Sequence, residues 1–413
     1  MTALFRLAVC LGCLGLILSA RTSADDTHAV PVAQPVATPS APPKALPVTT
    51  PPVVQPMATP ATPPKALPVQ VATPGSPTTP ADQLAAINAS AKGLAGIPCG
   101  GAWESTPEWK SYKKSLDEQW TYLDEVRLKA MRTWGTTELA DLRTQSTTVF
   151  YPFSGPDVLY ADTFFPNSRV LLMAGLEPVG TMPDLNTLQA QGKLGPYLDS
   201  ISKSLFTILA ASFFKTKDMK VDFNNQLVDG LTPAMIVFLA RGGYAITDIQ
   251  YVSLNEDGGV GPRSEHGKPG VQITYADGRQ VLYFSADLSD EGLKHNPGFV
   301  KLMAKLAPGI TYLKAASYLC YYDDFSTIRD AILADSLGVV EDDSGIPFKY
   351  FDVAKWTVIP YGDYTGPIDL FKERKQPDLT LFYQKTPHAQ LPFGSGYKFH
   401  PSVSSLLVVK KKS

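Results

Sequence analysis

Between Val30 and Pro80 the chain turns to proline, alanine, threonine and valine, and such a stretch cannot build a folded core. Each proline removes a backbone donor and fixes φ, so an extended polyproline-like coil is the default. One phrase occurs twice: Pro35-Val36-Ala37-Thr38-Pro39 running to Pro42-Pro43-Lys44-Ala45-Leu46-Pro47-Val48, and Pro56-Met57-Ala58-Thr59-Pro60 running to Pro63-Pro64-Lys65-Ala66-Leu67-Pro68-Val69. At about 3 Å per residue the coil spans on the order of 100 Å or more, which suits a spacer. Residues 25–81 are therefore expected to be a disordered tether. Residues 82–413 have the texture of a globular domain, long enough to bury a large core.

The segment before the tether is expected to be a secretory signal, residues 1–24. Arg6 supplies a positive charge, Leu7 to Leu18 are apolar, and small residues lead through Thr22-Ser23-Ala24 to Asp25. Cleavage is expected after Ala24, with Ala20 as the alternative. The apolar run is about 12 residues, short of the roughly 20 that cross a bilayer. Cys10 and Cys13 fall inside that run, too early for lipid attachment. An exported location, periplasmic or secreted, follows as an expectation. Loss of the signal leaves Cys99 and Cys320, which in an oxidising compartment form one disulfide or stay as two buried thiols.

Charge is bland, 37 basic against 39 acidic residues, with no basic stripe for nucleic acid. Lys410-Lys411-Lys412 reads as a solvated tail, and no later segment is apolar for long enough to cross a membrane. No Walker loop and no spaced Cys/His cluster is present, so no cofactor is assigned.

In the domain, Ser105-Thr106-Pro107-Glu108 starts a helix whose Trp109, Tyr112, Leu116, Trp120 and Leu123 recur at helical spacing, as a core-facing stripe. Thr147–Phe153 and Arg169–Leu176 read as strands around a mixed segment, Asp157–Phe165. Helices are expected over Lys193–Phe214 and from Thr232-Pro233 to Gly242-Gly243. Ile246–Leu254 is a strand pattern, and Val271–Tyr275 with Gln280–Ser285 flank a hairpin turn at Asp277-Gly278. Pro297–Leu306, Ile310–Tyr321 and Ser326–Ala334 read as helices; Leu337–Val340, Phe348–Phe351 and Trp356–Tyr361 as strands. The fold class is α/β, a mixed sheet flanked by helices with a β-hairpin insertion.

Tyr151-Pro152-Phe153-Ser154-Gly155-Pro156-Asp157 follows a strand and leads toward a helix, and the next strand ends at Gly175-Leu176-Glu177-Pro178. This opening resembles Rossmann-like folds, including methyltransferases, where ligands sit at strand ends and an acid closing the second strand holds ribose hydroxyls. Here that acid is Glu177. One glycine stands where two or three are wanted and Pro156 stiffens the turn, so the likeness is one of fold rather than cofactor. Ser154 or Asp157 suits a helix cap. As a nucleophile Ser154 lacks the Gly-x-Ser-x-Gly elbow and an assigned histidine base, with His266 and His295 both in loop contexts.

Glu341-Asp342-Asp343-Ser344-Gly345 puts three acids after a strand, and a solvated turn is the usual meaning; paired carboxylates or a hard-cation site is the sharper one. Asp323-Asp324, Asp287 and Asp290 suit helix caps. Arg241 and Arg329, in apolar helices, are expected to pair with such acids or to bind an anion. Taken together, the Tyr151–Asp157, Gly175–Pro178 and Asp342–Pro347 segments look like a family of exported bacterial proteins of unassigned function, a likeness that implies an envelope location and transfers no catalytic residue.

Two readings follow. In the first, the tethered domain binds a small molecule or an envelope component, with Ser154, Arg241 and Arg329 as binding candidates. In the second, it is a hydrolase or other enzyme whose Asp157, Glu177, Asp342 and Asp343 meet in one cleft as acid and base or as metal ligands. N-terminal mass spectrometry of the exported protein is expected to find Asp25 first; cytoplasmic protein starting at an intact Met1 would contradict the export reading.

Overall fold

The computed structural model describes residues 80–211 and 228–412. The segment expected to be a signal, the expected tether up to Thr79 and the end of the expected Lys193–Phe214 helix lie outside the described residues. Ten strands form one sheet: β1 (Thr148–Tyr151), β2 (Val170–Gly175), β3 (Ile246–Leu254), β4 (Val260–Pro262), β5 (Lys268–Tyr275), β6 (Gln280–Ser285), β7 (Gly309–Leu313), β8 (Ser336–Glu341), β9 (Trp356–Gly362) and β10 (Ser405–Lys411). Their spatial order is β4-β3-β5-β6-β2-β1-β7-β8-β10-β9. The centre, β6-β2-β1-β7-β8, is parallel throughout, and both margins are antiparallel. The fold is α/β with a mixed sheet, and the Asp277-Gly278 turn makes the β5–β6 hairpin, with Gly278 at φ 81° as a left-handed turn position requires.

Alternation along each central strand divides the core in two. Val149, Tyr151, Leu171, Met173, Ile310 and Tyr312 face one layer, packed with helices Val158–Phe164 and Thr232–Arg241. Phe150, Leu172, Ala174 and Leu313 face the other, packed with helices Gly298–Leu306 and Ser326–Asp335. Crossover helices on both faces are what a parallel sheet needs to bury itself. The aromatic stripe is core: Thr106 Oγ1 accepts from the Trp109 N–H at 3.2 Å, Pro107 opens the helix Pro107–Leu123, and Trp109, Tyr112, Leu116 and Leu123 are buried.

Four local expectations are corrected. Ile310–Tyr321 is not a helix: Gly309–Leu313 is the strand β7 between β1 and β8, buried at every position, followed by a loop and a short 3-10 turn, Leu319–Tyr321. A run buried on both faces carries no period that separates strand from helix, and Gly309 is needed because a Cβ there would strike the Phe150 ring. Phe348–Phe351 is a 3-10 turn over Phe348–Tyr350. Lys410 and Lys411 are no tail but the end of β10, which lies between β8 and β9; Lys410 pairs with Asp141 at 2.9 Å. Helix Ser326–Asp335 takes its cap not from Asp323 or Asp324 but from Asp290, whose carboxylate accepts from Thr327 N–H and Ser326 Oγ.

Cys99 and Cys320 are both free thiols, Cys320 fully buried. Among the described residues no helix is long and apolar enough to cross a membrane. Because β10 is interior to the sheet, Val408→Asp is expected to lower the unfolding free energy by roughly 3 kcal/mol or more in urea titrations, and Lys412→Ala by under about 1 kcal/mol. An unchanged midpoint for Val408→Asp would contradict the strand order.

Candidate functional site

The chain leaves β1 for β2 and β6 on one side, then crosses back to β7 on the other. Loops after β1 and β7 therefore diverge, and the gap between them is where open α/β sheets hold ligands. A cleft of about 320 Å³ lies there. The β1 loop contributes Phe153, Ser154, Gly155 and Asp157, and the end of β2 gives Leu176 and Glu177. Asp287 and Leu288 come from beyond β6, and Lys314 to Ser317 from beyond β7, with Phe325 closing one side.

Its floor is a buried ion pair. Lys314 Nζ lies 2.5 Å from Asp157 Oδ2 and 3.8 Å above the Tyr160 ring, and the Tyr151 hydroxyl donates to the same carboxylate oxygen at 2.8 Å. Asp157 also caps helix Val158–Phe164, its other oxygen accepting from Tyr160 N–H at 3.4 Å, which settles the cap in favour of Asp157 over Ser154. Tyr160 in turn accepts from buried Arg127 at 2.7 Å. Burial drives the Asp157 carboxyl above its usual range and the Lys314 amine below its own, with each charge opposing the shift of the other.

The backbone around the cleft is strained. Among the described residues the only non-glycine residues at positive φ are Phe153, Ala315, Ser317 and Tyr318, at 62°, 51°, 53° and 56°. The first three line the cleft. Left-handed backbone at a side-chain-bearing residue costs on the order of 1–3 kcal/mol and persists where the surroundings over-determine it.

Those surroundings include the acidic run. Glu341, Asp342 and Asp343 are buried, which corrects the solvated-turn expectation. Asp342 accepts from Ala315 N–H at 2.9 Å and from both the amide and the hydroxyl of Ser344. Ser344 Oγ accepts from Ala316 N–H at 2.8 Å. Asp343 accepts from the Tyr318 hydroxyl at 2.8 Å and has Lys398 Nζ 3.9 Å away; Glu341 accepts from Ile346 N–H at 2.8 Å. Burial raises all three carboxyls above their usual range.

Of the four candidate acids, the structure brings Asp157 and Glu177 to the cleft wall and sets Asp342 and Asp343 behind it, as anchors of the β7 loop. Glu177 is 3% exposed and folds back over Gly175, where a Cβ would collide with its carboxylate; Tyr283 donates to the Glu177 carbonyl at 2.9 Å. Ser154 lines the cleft, but its hydroxyl donates to the Gly155 and Ala174 carbonyls at 3.1 Å each, and no histidine is in the wall. Arg241 and Arg329 lie outside the cleft; Arg241 forms the expected salt bridge, but with an acid other than those named from the sequence. Arg241 binds Asp117 at 2.7 Å and the Ala95 carbonyl; Arg329 donates to the Cys320 carbonyl at 2.9 Å and stacks on Tyr350. Among the described residues no group of three His, Cys, Asp or Glu is placed to hold a metal.

Lys314 is the residue that sequence reasoning missed. It sits inside Leu313-Lys314-Ala315-Ala316, which looks like an exposed position in an amphipathic helix; a lone cation straight after a wholly apolar run was the available signal. Comparison with family models, curated proteins and solved structures finds no match.

Removing one member of the buried pair leaves the other stranded. Lys314→Met is expected to destabilise the protein by about 3–5 kcal/mol, and Asp157→Asn combined with Lys314→Met to recover part of that loss. Urea titration of both single variants and the double variant measures the coupling; strictly additive effects would show that the two groups do not act on each other.

Proposed function

We propose that this protein is an exported small-molecule-binding protein, its α/β domain carried on the proline-rich tether and its ligand held in the cleft between the β1 and β7 loops. The observation that carries the reading is the coincidence of that cleft with the place where strand order reverses. The parallel strands β6-β2-β1-β7-β8 run 3-2-1-4-5 when numbered by their own succession, the doubly wound order of Rossmann-like sheets, whose ligands bind at this crevice. The strained loops support it, since such backbone clusters where binding geometry is held in place. So does the size of the cleft, at the lower end of the range for small-molecule sites. The likeness to exported bacterial proteins and the signal-like N-terminus favour an envelope location.

A larger concavity, about 590 Å³, is lined by Trp103, Met182, Asp184 and Tyr251. It makes the weaker candidate: Asp184, its one ionisable carboxyl, is engaged in capping Asn186 and Thr187. The enzymatic reading has less support than binding, because Asp342 and Asp343 are committed to the β7 loop.

The test is a thermal-shift screen against amines, sugars, nucleosides, peptidoglycan fragments and divalent metals, repeated on Leu176→Trp. Leu176 is more than half exposed at the cleft mouth, so the larger side chain obstructs entry without entering the core. A ligand at about 100 times its Kd should add roughly 2.7 kcal/mol to wild-type stability and much less to the variant. Shifts of equal size in both would place the ligand elsewhere.

A further inference from the structure

We infer that the cleft takes a small neutral aromatic compound of one or two rings; this rests on the cleft being the ligand site. Most of its wall is apolar, and two phenylalanines carry it. Phe153 and Phe325 are half-buried, with ring centroids 5.9 Å apart and planes at 69° to each other. Leu176, Leu288 and Leu319 fill in around them.

Each ring is held from outside the cleft. Phe153 stands at φ 62°, a conformation that a bulky side chain avoids unless its surroundings impose it. The next residue ties the β1 loop to β2, the Ser154 amide donating to the Ala174 carbonyl at 2.8 Å and its hydroxyl to the same oxygen at 3.1 Å. Phe325 precedes helix Ser326–Asp335, whose first residues are tied to Asp290 through the Thr327 amide and the Ser326 hydroxyl. The two rings come from separately anchored segments, so their relation does not wait for a ligand.

A third ring can meet such a pair in the tilted or offset arrangements that aromatic quadrupoles favour. In the core, Trp134, Phe164, Tyr361 and Phe393 close on one another in this way. Phe153 and Phe325 have no third ring among the described residues, and the cleft lies beside both. A flat ring supplied by a ligand completes the group and displaces water from the leucines. A sugar or a charged compound would lose hydration against the same wall without replacing its hydrogen bonds. A volume of about 320 Å³ admits a monocyclic or bicyclic compound. The choice follows from the apolar wall and the ring geometry, and holds for any charge state of the floor.

Isothermal titration calorimetry on the whole protein tests this with benzyl alcohol and indole against cyclohexylmethanol and glucose, each to millimolar concentration. At least one aromatic probe should bind. Benzyl alcohol should bind about two- to ten-fold more tightly than its saturated counterpart cyclohexylmethanol, and glucose not measurably. Phe153→Gly removes one ring at a position whose φ glycine adopts freely, and should weaken the aromatic probe roughly ten-fold. Phe325→Leu keeps an apolar side chain, should bring the two alcohols to about equal affinity, and serves if Phe153→Gly fails to fold. Cyclohexylmethanol or glucose binding as tightly as benzyl alcohol, no aromatic probe binding, or aromatic binding unchanged in folded Phe153→Gly would overturn the proposed class. The site reading would survive any of these if the ligand that does bind is lost in Leu176→Trp. Aromatic binding unchanged in Leu176→Trp would overturn the site itself.

Discussion

The Lys314 amine and the Asp157 carboxyl meet at 2.5 Å with both side chains almost wholly out of water, and they belong to opposite sides of the point where the sheet changes direction. Desolvating two such groups costs several kcal/mol each, so the pair is a doubtful source of net stability. What it supplies is position. Asp157 is fixed by a helix amide and a tyrosine hydroxyl, Lys314 by a tyrosine face, and closing the pair sets the separation of the β1 and β7 loops. A hydrophobic pair of similar volume would fill the space without specifying which oxygen meets which nitrogen.

The second layer fixes the β7 loop from behind. Three residues in succession after Lys314 depend on it: Asp342 binds the Ala315 amide, Ser344 the Ala316 amide, and Tyr397 both the Ala315 carbonyl and the Ser317 hydroxyl. The Asp342 bond is charge-assisted and the Ser344 bond is buried, where hydrogen bonds are stronger and their loss more costly. Together they hold Ala315 and Ser317 in left-handed backbone that alanine and serine do not choose alone. The strain and its restraint are therefore two aspects of one arrangement, and the cleft wall is its product.

Much of this was legible in the sequence. Turn chemistry gave the Asp277-Gly278 hairpin, capping residues gave the helix from Pro107, and strand–turn–helix punctuation drew attention to Tyr151–Asp157 and Glu177. What stayed hidden depends on distant partners. Glu341-Asp342-Asp343 looks solvated because charge runs generally are; their burial follows from donors at Ala315, Tyr318 and Ile346, which no local pattern reveals. Leu406 to Val409 is an apolar, β-rich run whose signal was present, but the lysines after it drew the reading toward a tail. Ile310–Leu313 was ambiguous for the reason any doubly buried strand is, and mistaking it for a helix hid Lys314.

The central claim is that the β7 loop is held as rigidly as the sheet it leaves, so that the cleft exists before a ligand arrives. Native-state hydrogen exchange of the Ala315 and Ala316 amides, in ligand-free protein, measures this directly. Exchange governed by global unfolding, with protection equal to that of the Tyr312 amide in β7, is the predicted result. Exchange of either amide through local opening, far faster than Tyr312, would mean that Asp342 and Ser344 do not hold the loop and that the cleft is not preformed.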